Sequence, residues 1–263
     1  MKNHFRQHKS SLLLSGGMWL LLVLVLCTFP VAFSGYLASD LDTNFWYWLS
    51  ESGGVFGTTA LAVLLCGLAA AQQKGLRRKF ASFSVAFGFL LVTLGGIAAV
   101  NEYYIKPLTQ IPRPSHLFLL QPTHQIEKFY LQDVPARQAF LQRFIQENPT
   151  LSADVSPLVL AHWVQECGYS FPSGHSLNVF LLGTMLALFL GWQLPRKKQL
   201  WLLVPLGWAL LVCLSRVALG VHSEWDVALG SAVGFTVAYL LSVSGILHRV
   251  FKAAASTHSD NSL

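Results

Sequence analysis

Long apolar stretches alternate with short polar segments along most of the chain. A helix needs about 20 residues to cross ~30 Å of hydrocarbon. Six apolar stretches come near that length, at residues 12–35, 54–72, 80–103, 176–193, 200–220 and 227–247. The pattern therefore predicts an all-α integral membrane protein with six transmembrane helices.

The first apolar stretch has two interpretations. Lys2, Arg6 and Lys9 precede it, and Ala32-Phe33-Ser34 resembles a signal-peptide cleavage site. The apolar region is longer than a signal peptide needs, so a retained helix is favoured. Cleavage of this span remains an open alternative.

A long segment, residues 104–171, separates the third and fourth apolar stretches. Helical patterns recur at Gln125–Gln132 and in segments that open at Pro135 and Pro157. We expect a small helical periplasmic cap here, within one domain of residues 1–255. The polar tail, residues 256–263, is expected to be disordered.

The composition supports the membrane assignment. The chain of 263 residues is 53% hydrophobic and 11% charged, whereas soluble domains carry roughly 25% charged residues. The net charge of +6 arises from short segments beside apolar stretches, which argues against nucleic acid. Four cysteines without CxxC spacing make a disulfide framework or a zinc ribbon improbable: Cys27, Cys66, Cys167 and Cys213.

Charge alternates between successive loops. The first loop carries Asp40, Asp42 and Glu51 without Lys or Arg. The basic residues occupy the other side of a six-span arrangement: Lys2, Arg6 and Lys9; Lys74, Arg77, Arg78 and Lys79; Arg196, Lys197 and Lys198; Arg249 and Lys252. Because basic loops stay in the cytoplasm, both termini are expected there.

Three polar clusters fall at the opposite, outer ends of the predicted helices. The first is Lys106 with Arg113-Pro114, the second is Pro172-Ser173-Gly174-His175, and the third is Ser215-Arg216 with His222 and Asp226. The side of the membrane was assigned from the basic residues of the loops and not from these clusters. Their convergence on one side is therefore partly independent support for a single site.

Each cluster has a chemical use. Three cations, Lys106, Arg113 and Arg216, suit a tetrahedral oxyanion. Ser173 and Gly174 add donors at a helix N-terminus. A carboxylate at Asp226 can hold one ring nitrogen of His222 and leave the other free to attack. His175 remains as a general acid. This set indicates phosphoryl transfer through a histidine.

The pattern K-x6-RP, PSGH and SR-x5-H-x3-D is similar to that of the type-2 phosphatidic acid phosphatase superfamily, which includes vanadium haloperoxidases. All three motifs are present in order and without a substitution. The stretch from His162 to Phe171 resembles the bacterial phosphatidylglycerophosphatase branch of that superfamily.

This resemblance implies a metal-independent lipid phosphatase without a cofactor, working at the periplasmic face of a bacterial inner membrane. It implies His222 as nucleophile, Asp226 as its partner and His175 as acid. The implied phosphate-binding residues are Lys106, Arg113, Ser173, Gly174 and Arg216. The implied substrates are phosphatidylglycerophosphate, phosphatidic acid or undecaprenyl pyrophosphate. Besides this lipid phosphate and the bilayer, no nucleic acid and no obligate protein partner is expected.

Three alternatives remain open. A metallohydrolase could use His175, His222 and Asp226 as ligands, although the cations would repel a divalent metal. An intramembrane serine protease could use Ser173, but this leaves the cations unexplained. A transporter or lipid-binding protein would place polar groups near the bilayer midplane. His116, His124, His162 and His248 belong to no motif and are expected to be structural.

Overall fold

The computed structural model describes residues 2–28 and 40–252. Within these ranges every regular element is helical and no strand occurs, as the sequence pattern predicts. In chain order the helices are α1 (Lys2–Thr28), α2 (Asp40–Ser52), α3 (Val55–Ala71), α4 (Leu76–Thr109), α5 (Pro114–Leu120), α6 (Ile126–Tyr130), α7 (Val134–Glu147), α8 (Pro157–Gln165), α9 (Gly174–Gln193), α10 (Leu203–Ala218), α11 (Glu224–Val243) and α12 (Ile246–Lys252).

Five helices of the described chain are long and apolar enough to cross a membrane. They are residues 9–28 of α1, all of α4, α9 and α11, and α10 extended back to Lys197. A sixth span exists only if α2 and α3, which meet at a 53° bend, are counted together. Alone, α3 has 17 residues, fewer than a full span needs. The described part of the chain thus has five or six candidate spans.

Helix α2 was not predicted from the sequence, which placed its residues in an acidic loop. Thr43 and Ser50 are nevertheless buried, and Trp46 packs against a hydrophobic cluster. The aromatic residues between them and the acidic residues on either side obscure the apolar periodicity. The last seven residues of the first predicted span, with Ala32-Phe33-Ser34, and the tail of residues 256–263 lie outside the described residues.

Helix α9 lies at the centre of the bundle and packs against α1, α10 and α11. Two glycines allow α11 to approach it closely. A Cβ at Gly230 would lie 2.5 Å from the carbonyl oxygen of Ser173, and one at Gly234 would lie 2.2 Å from that of Leu177. Small residues at a helix crossing permit such contact in membrane proteins. The crossing fixes the N-terminal end of α9 beside that of α11.

Helix α4 presents an apolar face to the outside of the bundle. Phe80 is 72% exposed and Val92 is 73% exposed, which suits contact with lipid rather than water. Two π-helical turns, Leu91–Gly95 and Asn101–Ile105, interrupt its regular winding. Such turns often occur at functional sites, and the second one leads directly to Lys106.

The segment between α4 and α9 folds into α5 to α8 with a hydrophobic core of its own. Phe129, Leu141 and Trp163 belong to that core, together with Leu219 from the turn after α10. The indole N–H of Trp163 also donates to the carbonyl of Leu219 at 2.7 Å. The predicted helical character of this segment is confirmed, and the packing holds it over the end of the bundle that carries the polar clusters.

Candidate active site

The N-terminus of α9 is held by contacts from two other helices. Ser173 is its N-cap and accepts from the backbone N–H of Ser176 at 3.3 Å. The backbone N–H of Ser173 donates to the carbonyl of Asp226 at 3.0 Å. The side-chain amide of Asn101 in α4 donates to the carbonyl of Pro172 at 3.2 Å. These bonds bring α4, α9 and α11 together at one point.

His222 and Asp226 meet at the turn that precedes α11. Ser223 and Asp226 form a capping box in which the backbone N–H of Ser223 donates to Oδ2 of Asp226 at 2.7 Å. His222 lies before the helix, so the turn sets this pair rather than a shared helical face. Its Nδ1 is 3.6 Å from Oδ2 of Asp226, which is longer than a hydrogen bond.

Ser170 lies between these two side chains. Its hydroxyl donates to Oδ2 of Asp226 at 2.5 Å, and its oxygen is 3.2 Å from Nδ1 of His222. The serine is fully buried. The hydroxyl of Ser170 therefore connects the histidine to the carboxylate.

Arg113 contacts the other nitrogen of the imidazole. Its Nη1 lies 3.2 Å from Nε2 of His222 and donates to the carbonyl of Val221 at 3.0 Å. Its Nε donates to the carbonyl of Gly168 at 3.0 Å, and its Nη2 is 2.8 Å from Oε2 of Glu166. The guanidinium is thus fixed on three sides and faces the histidine.

Arg216 is fully buried behind Glu166. Its Nη2 donates to Oε1 of Glu166 at 2.6 Å, and its Nη1 donates to Ser50 of α2 at 2.5 Å. Nη1 also lies 3.3 Å from Nε2 of His162. Both His162 and the unpredicted helix α2 therefore serve to position this guanidinium.

Lys106 has a carboxylate partner of its own. Its Nζ lies 2.6 Å from Oε2 of Glu102, one turn earlier in α4. The lysine side chain is 8% exposed and that of the glutamate is 51% exposed. With Glu166 between the two arginines, each of the three predicted cations faces a carboxylate.

A cavity of about 540 Å³ joins these groups. Among the predicted site residues, Lys106, Arg113, Gly174, His175 and His222 line it. Three others, Ser173, Arg216 and Asp226, lie behind its wall and are fully or almost fully buried. The structure therefore places five predicted residues at the cavity surface and three in the layer that supports them.

The cavity continues away from the polar groups into an apolar slot between α3 and α4. The slot is lined by Ala62, Phe87, Leu90, Leu91, Leu94 and Ala98. Leu91 is 62% exposed on the outer surface of the bundle. The cavity therefore reaches the surface of the bundle that faces lipid if α4 spans a membrane. Gly54, at the bend between α2 and α3, lies beside Nε2 of His175 at the polar end.

Burial and the two guanidiniums set the charge states around the cavity. Burial, followed by the nearby Arg113, lowers the pKa of His222 well below its ordinary value. Burial alone would raise the pKa of Glu166, but Arg216 and Arg113 outweigh it and hold that pKa well below its usual range. At neutral pH the imidazole is therefore neutral and the carboxylate is ionised.

Several site residues were missed by sequence reasoning: Asn101, Glu102, Glu166 and Ser170. Glu102 lies four residues before Lys106 on one helix, a spacing that signals an ion pair. Glu166 lies in a stretch noted only for its resemblance. Nothing in the sequence marks Ser170, since its partners are 52 and 56 residues away.

The four histidines outside the motifs differ in their surroundings. His116 is buried, with Nδ1 at 2.7 Å from the hydroxyl of Tyr130. His162 supports Arg216, His124 is exposed, and His248 packs against a tryptophan. Across residues 2–28 and 40–252, no group of three His, Cys, Asp or Glu side chains is arranged to hold a metal ion.

The fold and the site together define a multi-pass helical protein in which histidine, carboxylate and cationic side chains converge at one end of the bundle. The chain belongs to the PAP2 superfamily, whose sequence profile matches residues 80–246. This match covers all three polar clusters and confirms the superfamily that the motifs indicated.

Curated relatives agree with this assignment. The chain is 28% identical over 231 residues to phosphatidylglycerophosphatase B of Haemophilus influenzae, covering 82% of this chain and 90% of that protein. It is 27% identical over 164 residues to phosphatidylglycerophosphatase B of Escherichia coli K12, covering 62% of this chain. The latter match spans only 59% of the Escherichia coli protein. The predicted resemblance to this branch is confirmed.

Proposed function

We propose that the protein is a membrane lipid phosphatase that hydrolyses a phosphate monoester or a pyrophosphate of a lipid. The observation that carries the proposal is the single cavity that joins a cluster of cations and histidines to an apolar slot. Such a cavity suits an amphiphile with an anionic head and hydrocarbon chains. Membership of the PAP2 superfamily and similarity to phosphatidylglycerophosphatase B support the same activity.

The head group enters beside Lys106, Arg113 and the N-terminus of α9. A phosphate offers several acceptor oxygens and competes with the carboxylates that these cations contact. Arg216 is screened by Glu166, so its contribution to phosphate binding requires that carboxylate to shift. The hydrocarbon chains remain in the slot between α3 and α4 and reach the bilayer past Leu91.

The reaction proceeds through His222. Its Nε2 electron pair forms a bond to phosphorus while the bond to the leaving oxygen breaks, and His175 supplies a proton to that oxygen. Water then attacks the phosphohistidine, with His175 accepting its proton, and inorganic phosphate leaves. Arg113 and Lys106 stabilise the charge on the equatorial oxygens, where electrostatic stabilisation contributes most. No metal or cofactor takes part in this scheme.

The basic segments favour a placement with this site on the periplasmic side of a bacterial inner membrane. Phosphatidylglycerophosphate, phosphatidic acid and undecaprenyl pyrophosphate all present a phosphate at headgroup depth. They differ in the group next to the phosphate.

Phosphate release from these three lipids by the purified protein in detergent tests the proposal. We expect release from at least one of them, abolished in His222→Ala and unaffected by EDTA. A folded protein that releases no phosphate from any of the three would contradict lipid phosphatase activity. Activity that depends on a divalent metal would instead favour a metallohydrolase.

A further inference from the structure

Ser170 occupies a fixed place between the two residues of the proposed nucleophilic pair. It lies four residues after Glu166 in the extended segment that leads into α9, and none of its surface is exposed. Its backbone N–H donates to the carbonyl of Ile111 at 2.8 Å, which fixes the main chain. The main chain at Ser170 is therefore held independently of the contacts that the side chain makes.

The contact with Arg113 determines which nitrogen of His222 carries the proton. A guanidinium can only donate hydrogen bonds, and Nη1 of Arg113 lies 3.2 Å from Nε2 of His222. Nε2 must therefore present its lone pair. In the neutral ring the proton then resides on Nδ1, which faces Ser170.

The hydroxyl of Ser170 has one proton and can donate it to only one acceptor at a time. The carboxylate oxygen of Asp226, at 2.5 Å, is a much closer acceptor than the carbonyl of Val221, at 3.5 Å. An ionised carboxylate only accepts, so the serine donates to Asp226 and turns a lone pair towards Nδ1–H of His222. The direct approach of Asp226 to that nitrogen, at 3.6 Å, is too long for a hydrogen bond.

We propose that Ser170 is a positioning residue that links Asp226 to His222, keeps the proton on Nδ1 and so leaves the lone pair on Nε2, the nitrogen that attacks phosphorus. The proposal rests on the proposed function. When Nε2 forms its bond to phosphorus, the ring becomes positively charged while Nδ1 keeps its proton. The chain from Nδ1–H through the serine hydroxyl to the carboxylate stabilises that charge without moving a proton away.

The groups that face His222 all agree with this arrangement. Arg113 approaches Nε2, Ser170 approaches Nδ1, and Asp226 lies beyond the serine. Arg216 acts at longer range and disfavours a second proton on the ring, as Arg113 does, and Asp226 is the anion that opposes both.

The direct test is ¹⁵N NMR of the full-length protein in detergent with labelled histidine rings, and the His222 signals are assigned by their absence in His222→Gln. We expect the Nδ1–H tautomer in the wild-type protein and a mixture of tautomers in Ser170→Ala. Wild-type His222 protonated on Nε2 would overturn the proposal, whatever the variants do. This measurement needs no turnover, so it separates the proposal from the proposed activity.

Kinetics supply the second readout. Ser170→Ala should lower kcat about 10- to 100-fold, by analogy with the loss of a hydrogen-bond partner that orients a metal-ligating histidine, with KM changed less than about twofold. Ser170→Thr keeps the hydroxyl and should restore most of kcat. Ser115→Ala is the matched control, since Ser115 is a fully buried serine whose Oγ has no hydrogen-bond partner within the described residues.

Equal kcat in Ser170→Ala and the wild type would contradict the proposal. The proposal would also fail if Ser170→Thr did not restore kcat although its His222 carried the proton on Nδ1. If the wild type hydrolyses no lipid but shows the Nδ1–H tautomer, the proposed function fails and the role of Ser170 in the histidine pair remains.

Discussion

Glu166 accepts a hydrogen bond from Arg216 at 2.6 Å and, through its second oxygen, forms an ion pair with a further guanidinium, that of Arg113, at 2.8 Å. The carboxylate thus neutralises positive charge that the proposed mechanism assigns to phosphate. Because the pKa of Glu166 is held well below its usual range, this charge persists at neutral pH.

Replacing this carboxylate should strengthen the binding of a phosphate analogue. In Glu166→Gln the site loses one negative charge that competes with the ligand, so we expect vanadate to inhibit at a concentration several-fold lower than in the wild type at low ionic strength. The difference should shrink as salt is added, since salt screens such interactions. Glu127→Gln, which removes a charge from an exposed residue, is the control.

Weaker inhibition by vanadate in Glu166→Gln would contradict this prediction. The carboxylate would then act mainly by holding Arg113 and Arg216 in place, and its competition with phosphate would be the smaller effect.

Acid should destabilise the fold through its buried histidines. Burial lowers the pKa of His116 to about 3 and that of His162 to about 4, whereas an unfolded histidine titrates near 6.5. Between these values the unfolded chain binds more protons than the folded chain, so the free energy of unfolding falls as the pH falls from about 6.5 towards 4. The slope is at most about 1.4 kcal/mol per pH unit for each histidine.

Thermal unfolding in detergent between pH 6.5 and 5 measures this effect above the range where most carboxylates titrate. We expect the midpoint to fall with pH, and to fall less steeply in His162→Gln. A midpoint independent of pH over this range would mean that the buried histidines take up protons without unfolding.

Most of the fold followed from the hydrophobic pattern because a membrane span is a long, uniform signal. Helices α4, α9 and α11 begin and end within a few residues of the predicted stretches. Helix α2 was missed because the exposed aromatic residues Phe45 and Trp48 lie between its buried polar residues, and acidic residues lie at both ends. Its importance lies in Ser50, whose contact with Arg216 joins positions 166 residues apart and leaves no local pattern.

The site was predictable to the extent that motifs fix residue types. The motifs identified the histidines, the cations and Asp226, and the structure brings them to one place. They gave no sign of the carboxylates that face the cations or of the serine between His222 and Asp226. Glu102 pairs with Lys106 within α4, but the contacts of Glu166 and Ser170 depend on the packing of α5 to α8 against the end of the bundle, and single residues in an irregular segment carry no periodicity.

The apolar slot should set the preference for long-chain lipids. Gly95 lines it, and a Cβ at that position meets nothing within 4 Å. Gly95→Leu should therefore fill the slot without a clash, raising KM for a long-chain lipid by about tenfold, a cost of about 1.4 kcal/mol, while KM for a soluble short-chain ester changes little.

A matched control exists on the same helix. Gly88 is equally open to a new side chain and does not line the cavity, so Gly88→Leu should behave as the wild type with both substrates. Equal effects of Gly95→Leu on long and short substrates would place the hydrocarbon chains elsewhere.

The proposed orientation can be tested with two exposed positions at opposite ends of the bundle, in a Cys27→Ser background that removes the exposed native cysteine. In intact spheroplasts, Asp154→Cys should react with a membrane-impermeant maleimide and Lys197→Cys should not. Labelling of Lys197→Cys alone would mean that the topology is inverted and that the site lies on the cytoplasmic side.

The mechanism predicts a covalent intermediate on His222. Radiolabelled lipid pyrophosphate, mixed with enzyme and quenched in alkaline detergent, should leave a label that is stable to base and lost in acid, as a phosphohistidine is. His222→Ala should carry no label and no activity.

The role of His175 as an acid is tested by the leaving group. His175→Ala should still form the intermediate from a pyrophosphate, whose leaving group needs little protonation, whereas its reaction with an alkyl phosphate should be slower than that of the wild type. The same variant should accumulate label, because water then attacks without a base. Asp226→Asn should retain more activity than His222→Ala, since the nucleophile remains although its partner is weakened. Label retained in His222→Ala would assign the nucleophile to another residue, and unchanged leaving-group dependence in His175→Ala would remove that histidine from acid catalysis.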